Sequence, residues 1–163
     1  MQSTDSQREV WENIAPDWDR KRQNTVSDAA NFLKNKRGMV LDIGCGSGRN
    51  FASIDGNLIG TDFSQKMTSL ARNNAKRKGL KVSLVVSDAL ELPFKDDSFD
   101  AVMMQSVLPS IKYNKHRTAL KEVRRVAKDG ADVYISAWDR DQPRFAGMKK
   151  EVMLKWTFQG TDY

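Results

Sequence analysis

The sequence of 163 residues predicts an α/β fold built on a doubly wound, mostly parallel sheet. From residue 38 onward, short apolar segments of strand length alternate with segments whose apolar residues recur at helical spacing. The first of these strands, over residues 39–43, is continuously apolar up to Asp42 and runs directly into a glycine loop. Such a strand is typical of a parallel sheet that is covered on both faces. We therefore expect one domain over residues 1–163.

The segment before the glycine loop is predicted to be helical. Residues 1–7 are expected to be disordered, and residues 8–37 to form N-terminal helices. Pro16 is expected to break the first helix, and Ser27 to cap the second, because a serine at that position can accept from a backbone N–H of the first turn. The apolar residues at helical spacing in the first helix are Val10, Trp11, Ile14 and Trp18.

Residues 38–138 are predicted to form the core of the domain. A helix is expected to begin after its cap Ser64 and to end at Gly79. A second helix is expected to begin near Lys115 and to end at a turn over residues 128–130, burying Ala119, Leu120, Val123, Val126 and Ala127. The five strands are expected over residues 39–43, 57–61, 82–86, 99–105 and 131–138.

The glycine loop over residues 44–48 is the most specific motif of the chain. Glycines at 44, 46 and 48 allow a tight turn and let a ligand lie against the backbone. The dinucleotide fingerprint needs a glycine where this chain has Arg49, and the Gly-Lys-Ser/Thr phosphate loop is absent. The loop therefore predicts a nucleoside-type ligand without a pyrophosphate.

Polar side chains stand where the predicted strands end. Asp42, Asp62, Asp88 and Gln105 close the first four strands in order. Open parallel sheets bind ligands outside the carboxyl ends of their strands. We therefore expect these four side chains to meet at one edge and to form the binding site.

Composition excludes several classes of protein. No apolar run approaches the roughly 18 residues of a membrane span, and the N-terminus is polar rather than signal-like. Cys45 is the only cysteine, which leaves no internal disulfide and favours a cytoplasmic location. With His116 as the only histidine, no zinc site is expected, and this histidine is expected to be solvated. The net charge of +6 favours a polyanion such as RNA, or is simply a solvated basic surface.

Four motifs in order resemble the class I S-adenosylmethionine (SAM)-dependent methyltransferases of the small single-domain type. They lie at residues 40–48, 60–64 with Met67, 87–94 and 97–102. The resemblance implies a Rossmann-like fold, SAM as cofactor and transfer of its methyl group. It also implies a seven-stranded sheet whose last two strands form an edge hairpin, which appears here only in part.

The resemblance implies a role for each candidate residue. Asp62 would bind the ribose hydroxyls, Asp88 with Ala89 the adenine edge, and Asp42 the methionine end. Phe63 packs on the adenine or belongs to the core, and Cys45 is a small spacer in the loop rather than a nucleophile. The N-terminal helices, and residues 18–22 in particular, would fold over the cofactor as a lid. Arg22 and Gln105 are the catalytic candidates. The residues implied in cofactor binding are Trp18, Asp42, Gly44, Cys45, Gly46, Gly48, Asp62, Phe63, Asp88, Ala89, Gln105 and Ser106.

Within that class the chain most resembles the group that methyl-esterifies a carboxymethylated wobble uridine in tRNA. Residues 14–22, 92–100, 138–142 and 155–158 carry this similarity. A carboxylate nucleophile needs no general base, and Arg22, with Arg140 or Arg144, would position it. The chain has Pro109 and Ser110 where this group often has two histidines. The basic residues expected around the mouth are Arg20, Lys21, Arg22, Lys112, Lys115, Arg140, Arg144, Lys149 and Lys150.

Two other functions stay open at this point. One is methylation of a small molecule, such as a quinone ring or an organic acid, and the other is a non-catalytic SAM-binding domain. Residues 139–163 are expected to be an incomplete end, in which residues 152–158 alternate like a strand without a partner before Tyr163. The chain is then truncated, or another chain completes the edge, or the tail is disordered. The resemblance implies a small zinc-binding activator subunit as that other chain, and a second copy is the alternative.

Overall fold

A five-stranded parallel sheet forms the centre of the protein in a computed structural model that describes residues 4–139, 141–143, 157–158 and 161–162. The strand order is β3-β2-β1-β4-β5, so the direction of winding reverses between β1 and β4. The predicted doubly wound fold is confirmed. The strands are β1 (Arg37–Ile43), β2 (Asp55–Asp62), β3 (Val82–Val86), β4 (Phe99–Gln105) and β5 (Ala127–Ser136).

Helices cover both faces of this sheet. Neighbouring residues of β1 point to opposite faces, and Val40 packs in one apolar cluster while Leu41 packs in the other. The first cluster includes Leu33 and Ala71 from two of the helices, and the second includes Val123 from another. The helices are α1 (Thr4–Lys21), α2 (Ser27–Leu33), α3 (Gln65–Arg77) and α4 (His116–Val126).

Helix α1 differs from its prediction in two ways. It begins at Thr4, so residues 4–7 are helical rather than disordered, and it continues through Pro16 instead of breaking there. A proline inside a helix costs about 3 kcal/mol. Ile14, Ala15 and Asp17 are buried around this proline, and their packing offsets that cost. Tertiary burial therefore keeps α1 in one piece.

The start of α2 also corrects the prediction. Ser27 is the first helical residue, and the N-cap position belongs to Val26, which has no side-chain oxygen to offer. The backbone N–H of Val26 instead donates to Asn50 Oδ1 at 3.0 Å. A side chain next to the glycine loop thus anchors the chain where α2 begins.

The elements around β3 agree with the sequence. Strand β3 and strand β4 have the predicted bounds, and Ser64 caps α3 by accepting from the Met67 N–H at 3.1 Å. Gly79 follows the end of α3 with φ of +67°. Strands β1 and β2 are each longer than predicted and extend toward their amino ends.

The predicted turn at residues 128–130 lies inside β5 as an irregularity. The register with β4 steps from Phe99 opposite Ala127 to Ala101 opposite Asp132, so extra residues bulge out opposite Asp100. Gly130 in this bulge has φ of +78°. Lys128 Nζ, which lies 2.6 Å from Asp100 Oδ1, ties the bulge to β4 and keeps the segment in the sheet.

Leu120 was predicted to be buried, but 40% of its surface is exposed. It lines a shallow cavity of about 370 Å³ together with Val133 and Ile135 of the edge strand β5. Among the described residues β5 is an edge strand, with no further strand paired to its outer edge. The apolar side chain of Leu120 therefore stays at the rim of the core.

A short antiparallel pair lies near the end of the chain. Strands β6 (Thr157–Phe158) and β7 (Thr161–Asp162) pair with each other in a sheet of their own. The expectation that the segment ending at 158 lacks a partner before Tyr163 is therefore wrong. Residues 152–156 and the predicted cations Arg140, Arg144, Lys149 and Lys150 lie outside the described residues. No helix in the described part of the chain is long and apolar enough to cross a membrane.

Candidate active site

The candidate site lies at the carboxyl ends of β1, β2, β3 and β4, as the sequence predicted. Asp42 is in β1 between Gly60 of β2 and Met103 of β4, and Asp62 and Gln105 close their own strands. Asp88 follows β3, and the N–H of Ser87 beside it donates to the carbonyl of Asp62 at 3.0 Å. The parallel register thus brings residues from four separate motifs to one edge.

Side chains from two other parts of the chain pack against the glycine loop. Gly44 has φ of +64°, and a Cβ there would lie 2.4 Å from Val107 Cγ2, in the segment after β4. Gly46 has φ of +54°, and a Cβ there would lie 3.7 Å from the indole Nε1 of Trp18. Helix α1 therefore places Trp18 next to the glycine loop, and its role as a lid stays a prediction.

Side chains from outside the loop hold its carbonyl groups. Thr25 Oγ1 donates to the carbonyl of Arg49 at 2.9 Å, and Lys78 Nζ donates to the same oxygen at 2.7 Å. Asn74 Nδ2 donates to the carbonyl of Ser47 at 2.8 Å and to Asp19 Oδ1 of α1 at 2.7 Å. The loop is therefore fixed in place before a ligand arrives, which reduces the entropy lost on binding.

Asp42 is a buried carboxyl whose Oδ2 has no hydrogen-bond partner among the described residues. Burial raises its pKa to about 8, with a further contribution from the charge of Asp62 and an opposing one from Arg49. At neutral pH the carboxyl is mainly protonated until a cation approaches it. A buried carboxyl oxygen without a hydrogen-bond partner fits a ligand that carries a positive group.

Asp62 holds two neighbouring segments in place. Its Oδ2 accepts from the N–H of Gly46 at 2.9 Å, and its Oδ1 accepts from the N–H of Ser64 at 2.9 Å. Burial raises its pKa to about 6, although these hydrogen bonds favour the ionised form. Each carboxylate oxygen has a second lone pair, so a vicinal diol could still donate to both.

Glu12 contacts the candidate site through α3, and no feature of the sequence predicted this. From α1 it accepts from the N–H of Gln65 at 2.5 Å and from that of Lys66 at 3.1 Å. These amides belong to the first turn of α3, where N–H groups lack partners within the helix. The charge of Glu12 also raises the pKa of Asp62. Helix α1 is therefore coupled through Glu12 to the start of α3 and to Asp62 at the end of β2.

Phe63 follows the end of β2, and Asp88 and Ala89 follow the end of β3; all three are half-buried, and the Ser87 N–H, which donates to the Asp62 carbonyl, joins the two strand ends. Asp88 Oδ1 accepts from the N–H of Leu90 at 2.9 Å, which orients the carboxylate within the turn. The predicted adenine-side residues therefore occupy one region.

Cys45 is buried between the loop and β2. A Cβ on Gly60 would lie 3.0 Å from its Sγ, so the thiol packs closely against that strand. Burial raises the pKa of the Cys45 thiol well above its usual range, and the charges of Asp42 and Asp62 add to this effect. A thiol that stays protonated is a poor nucleophile, which supports the interpretation of Cys45 as a spacer.

The end of β4 carries a hydrogen-bond network that the sequence only partly indicated. Tyr134 Oη donates to Gln105 Oε1 at 2.6 Å, and Gln105 Nε2 donates to Ser106 Oγ at 2.9 Å. Ser106 has φ of +57°, and its N–H donates to Ser136 Oγ at 2.9 Å. The predicted residues Gln105 and Ser106 are half-buried here. Tyr134 and Ser136 were not predicted as site residues. The only sequence feature that indicated them is their spacing of two residues near the end of β5, which places both side chains on one face of the strand.

Two arginines share the mouth of the site. The Arg22 guanidinium lies 5.1 Å from the centre of the Trp18 ring, which is a cation–π distance. Burial lowers the pKa of Arg49, and the positive charge of Arg22 lowers it further. Neither guanidinium forms an ion pair with any described residue. Arg49 was noted in the sequence only as the residue that excludes a dinucleotide.

His116 was expected to be solvated, and the structure shows that this prediction is wrong. It is half-buried, and its Nε2 lies 2.9 Å from the carbonyl of Ile111. The imidazole therefore tethers the start of α4 to the segment after β4. It has a structural position outside the cleft.

Together, the fold and the site define a class I SAM-dependent methyltransferase domain. SAM carries an ammonium group, a ribose diol and an adenine, and Asp42, Asp62 and Asp88 fit these groups in kind and order. The chain belongs to the methyltransferase domain family, whose family model matches residues 41–135.

Similar proteins include enzymes with different acceptors. The mouse "Probable tRNA methyltransferase 9B" is 30% identical over 152 residues, covering 90% of this chain and 32% of the relative. The "Demethylmenaquinone methyltransferase" of Bacillus velezensis is 34% identical over 122 residues, covering 71% of this chain and 51% of the relative. The chain thus spans about a third of the length of the tRNA methyltransferase relatives it matches.

Solved structures give the same fold. A Haloferax volcanii methyltransferase in a complex with the Trm112 methyltransferase activator has a TM-score of 0.62 and 25% identity, over 76% of this chain and 57% of that one. The protein in the "DhpI-SAM-HEP complex" has a TM-score of 0.71 and 21% identity, over 98% of this chain and 79% of that one.

Proposed function

We propose that the protein transfers the methyl group of SAM to a carboxylate on a carboxymethylated wobble uridine of tRNA. The observation that carries the proposal is the pair of guanidiniums, Arg22 and Arg49, at the mouth of the cofactor site without a carboxylate partner in the described chain. Guanidinium groups bind carboxylates with two parallel hydrogen bonds. An anionic acceptor is therefore the chemistry that this mouth favours.

We assign the cofactor-binding roles by the chemistry of each side chain. Asp42 binds the ammonium group, Asp62 the ribose hydroxyls, and Asp88 with Ala89 the adenine edge. Phe63 packs near the adenine, and Trp18 closes the site over Gly46. Gly44, Gly46 and Gly48 let the loop approach the ligand, and Cys45 fills the space between the loop and Gly60.

Bound SAM supplies an electrophilic methyl group on its sulfonium. The residues of this chain hold the acceptor in line with that group and exclude water. Alignment of this kind can contribute roughly 7–11 kcal/mol to lowering the barrier. A carboxylate is already ionised at neutral pH, so the described cleft needs no histidine base. Arg22 orients the acceptor, and Gln105 contacts it from the end of β4.

Labelled SAM and bulk tRNA test this proposal. We expect the labelled methyl group to appear in the tRNA fraction and to be lost from it after ribonuclease treatment. Mild alkali should release the label as methanol, since a methyl ester is labile to base. Arg22→Ala should abolish transfer and leave SAM binding intact. The matched control is Arg37→Ala, because Arg37 is 83% exposed at the opposite end of β1. Full turnover by the Arg22→Ala protein would contradict the proposal.

The basic surface near the mouth supports contact with a polyanion. Arg20, Lys21, Arg22, Lys112 and Lys115 are exposed, although Arg20 and Lys21 also pair with Asp17. Phosphate contacts would make tRNA binding weaken steeply with salt. We expect the dissociation constant to rise by about a hundredfold between low and physiological salt, and a salt-independent constant would count against this surface.

We further propose a cytoplasmic location and a small zinc-binding activator as partner. Support comes from the activator bound to the Haloferax volcanii relative. Co-purification of the two chains in a one-to-one complex, and higher turnover in its presence, are the expected results. A stable homodimer without such a complex would favour pairing of two copies instead.

Methylation of a quinone ring is the second candidate function, because the Bacillus velezensis relative is named for that activity. The same labelled assay separates the two. Label that partitions into organic solvent after incubation with a lipid extract would favour the quinone. SAM binding without transfer to either fraction would favour a non-catalytic domain.

A further inference from the structure

The hydrogen-bond network at the ends of β4 and β5 runs from Tyr134 through Gln105 to Ser106. The Tyr134 hydroxyl donates to Gln105 Oε1 at 2.6 Å. With its oxygen turned toward Tyr134, the Gln105 carboxamide must point its NH₂ group the other way, and Nε2 donates to Ser106 Oγ at 2.9 Å. Without the tyrosine hydroxyl, the carboxamide could rotate and present its oxygen to Ser106.

Tyr134 is itself held in position from two sides. It lies within β5, where it is opposite Met103 of β4. Its ring packs on Phe32 of α2, with the ring centres 5.4 Å apart. The hydroxyl position is therefore set by packing of the ring rather than by the polar network. Removal of the oxygen alone should leave that packing unchanged.

Ser106 accepts the hydrogen bond that Gln105 donates. Its φ of +57° is uncommon for a residue with a side chain, and such backbone strain clusters at functional sites. The Ser106 N–H donates to Ser136 Oγ at 2.9 Å and to the Ser136 carbonyl at 3.2 Å. The strained conformation is thus held by β5.

The protons of the serine pair can be counted. Ser106 Oγ and Ser136 Oγ lie 3.4 Å apart, so one hydroxyl donates to the other. Ser106 Oγ already accepts from Gln105, and Ser136 Oγ already accepts from the Ser106 N–H. Whichever serine donates across the pair, the other keeps one O–H, and Gln105 Nε2 keeps its second N–H. The end of β4 therefore offers donors to a ligand.

We propose that Tyr134 is a positioning residue that makes the end of β4 a donor site for an oxyanion acceptor. Acting through Gln105, it directs the Gln105 and serine protons at the methyl acceptor. A carboxylate accepts such protons, whereas an amine nucleophile would need an acceptor for its own N–H. The proposal rests on the proposed function and specifies its acceptor as an oxygen anion.

A test without methyl transfer uses acetate as the carboxylate probe and methylammonium as the amine probe. In the protein saturated with S-adenosylhomocysteine, acetate should shift the Gln105 side-chain NH₂ signals relative to chloride at equal ionic strength, and methylammonium should not. Tyr134→Phe should raise the acetate dissociation constant about tenfold or more, the size expected for one charge-assisted hydrogen bond. Tyr113→Phe, which removes an exposed tyrosine hydroxyl elsewhere, is the matched control.

Gln105→Glu provides a second variant, because it replaces the donating NH₂ group with a carboxylate oxygen and should abolish acetate binding. Unchanged acetate binding in either variant overturns the proposal. In the tRNA assay, Tyr134→Phe should lower kcat about tenfold and leave the KM for SAM unchanged. Absence of tRNA methylation by the wild-type protein would refute the proposed function alone, because the acetate experiment stands without it.

Discussion

Asp62 accepts a hydrogen bond of 2.9 Å from the backbone N–H of Gly46, which joins the end of β2 to the middle of the glycine loop. Asp62 is buried, and its other carboxylate oxygen accepts from the N–H of Ser64 at 2.9 Å. One carboxylate therefore holds both the glycine loop and the start of α3, in addition to the ribose-binding role that we propose for it. Replacement of Asp62 should therefore affect both the conformation of the loop and the binding of the ligand.

The first prediction concerns Asp62→Ala, which leaves the N–H groups of Gly46 and Ser64 without partners. Each unsatisfied group costs about 1–3 kcal/mol. We expect lower thermal stability and a loss of SAM affinity of at least about tenfold, measured by calorimetry. Asp62→Asn keeps one acceptor and should lie between the alanine variant and the wild type. Equal affinity in all three proteins would contradict the assignment.

The second prediction concerns stability and pH in the absence of SAM. The pKa of Asp42 is about 8 in the folded protein against an ordinary 3.8, so the folded state binds the proton more tightly. The resulting stability is fully present below about pH 4 and is lost as pH rises to 8, by about 6 kcal/mol at most. Asp42→Asn should remove this slope in urea titrations and be the more stable protein at about pH 9. Parallel pH curves for the two proteins would refute the prediction.

The third prediction concerns SAM binding and pH. The contact that we propose between the SAM ammonium group and Asp42 needs the ionised carboxylate, and burial raises the pKa of Asp42 to about 8 in the free protein. Affinity should therefore increase as pH rises toward 8, by at most tenfold per pH unit, and fall at higher pH as the α-amino group of SAM loses its proton. Asp42→Asn should show weaker binding with a shallower slope. Calorimetric titration in buffers of equal ionic strength measures both.

The fourth prediction compares Gly44→Ala with Gly79→Ala. The two glycines have similar φ values of +64° and +67°, so the backbone strain added by alanine is the same. Only at Gly44 would the new Cβ clash, at 2.4 Å from Val107 Cγ2, whereas nothing lies within 4 Å at Gly79. Gly79→Ala should cost about 1 kcal/mol, and Gly44→Ala should cost more and impair SAM binding. Val107→Ala in the Gly44→Ala background should restore part of the binding.

The fifth prediction compares two neighbouring arginines of α4. Arg125 donates to the carbonyls of Leu92 at 2.9 Å and Phe94 at 2.6 Å and pairs with Glu122 at 2.7 Å. Arg125→Ala should cost about 2–3 kcal/mol, because buried carbonyls lose their donors. Arg124→Ala should cost under about 0.5 kcal/mol, since Arg124 is 68% exposed in its pairs with aspartates. Urea unfolding measures both, and equal losses would contradict this account.

Much of the fold and of the candidate site could be predicted because its signals are local in sequence. The bounds of β3 and β4, the Ser64 cap and the convergence of Asp42, Asp62 and Gln105 were all available from spacing. Parallel strands place their carboxyl ends at one edge whatever their side chains. The sequence by itself therefore determined the class of fold, the kind of cofactor and the edge of the sheet at which the candidate residues meet.

Only the tertiary structure decided how the remaining segments meet. The helix through Pro16 and the exposed Leu120 depend on burial, which no local pattern specifies. Glu12 contacts Gln65 across 53 residues, and Tyr134 contacts Gln105 across 29. Hydrogen bonds between such distant residues depend on strand register and helix packing, so they form only once the whole sheet is assembled. The orientation of the Gln105 side chain at the end of β4 was therefore decided by the tertiary structure alone.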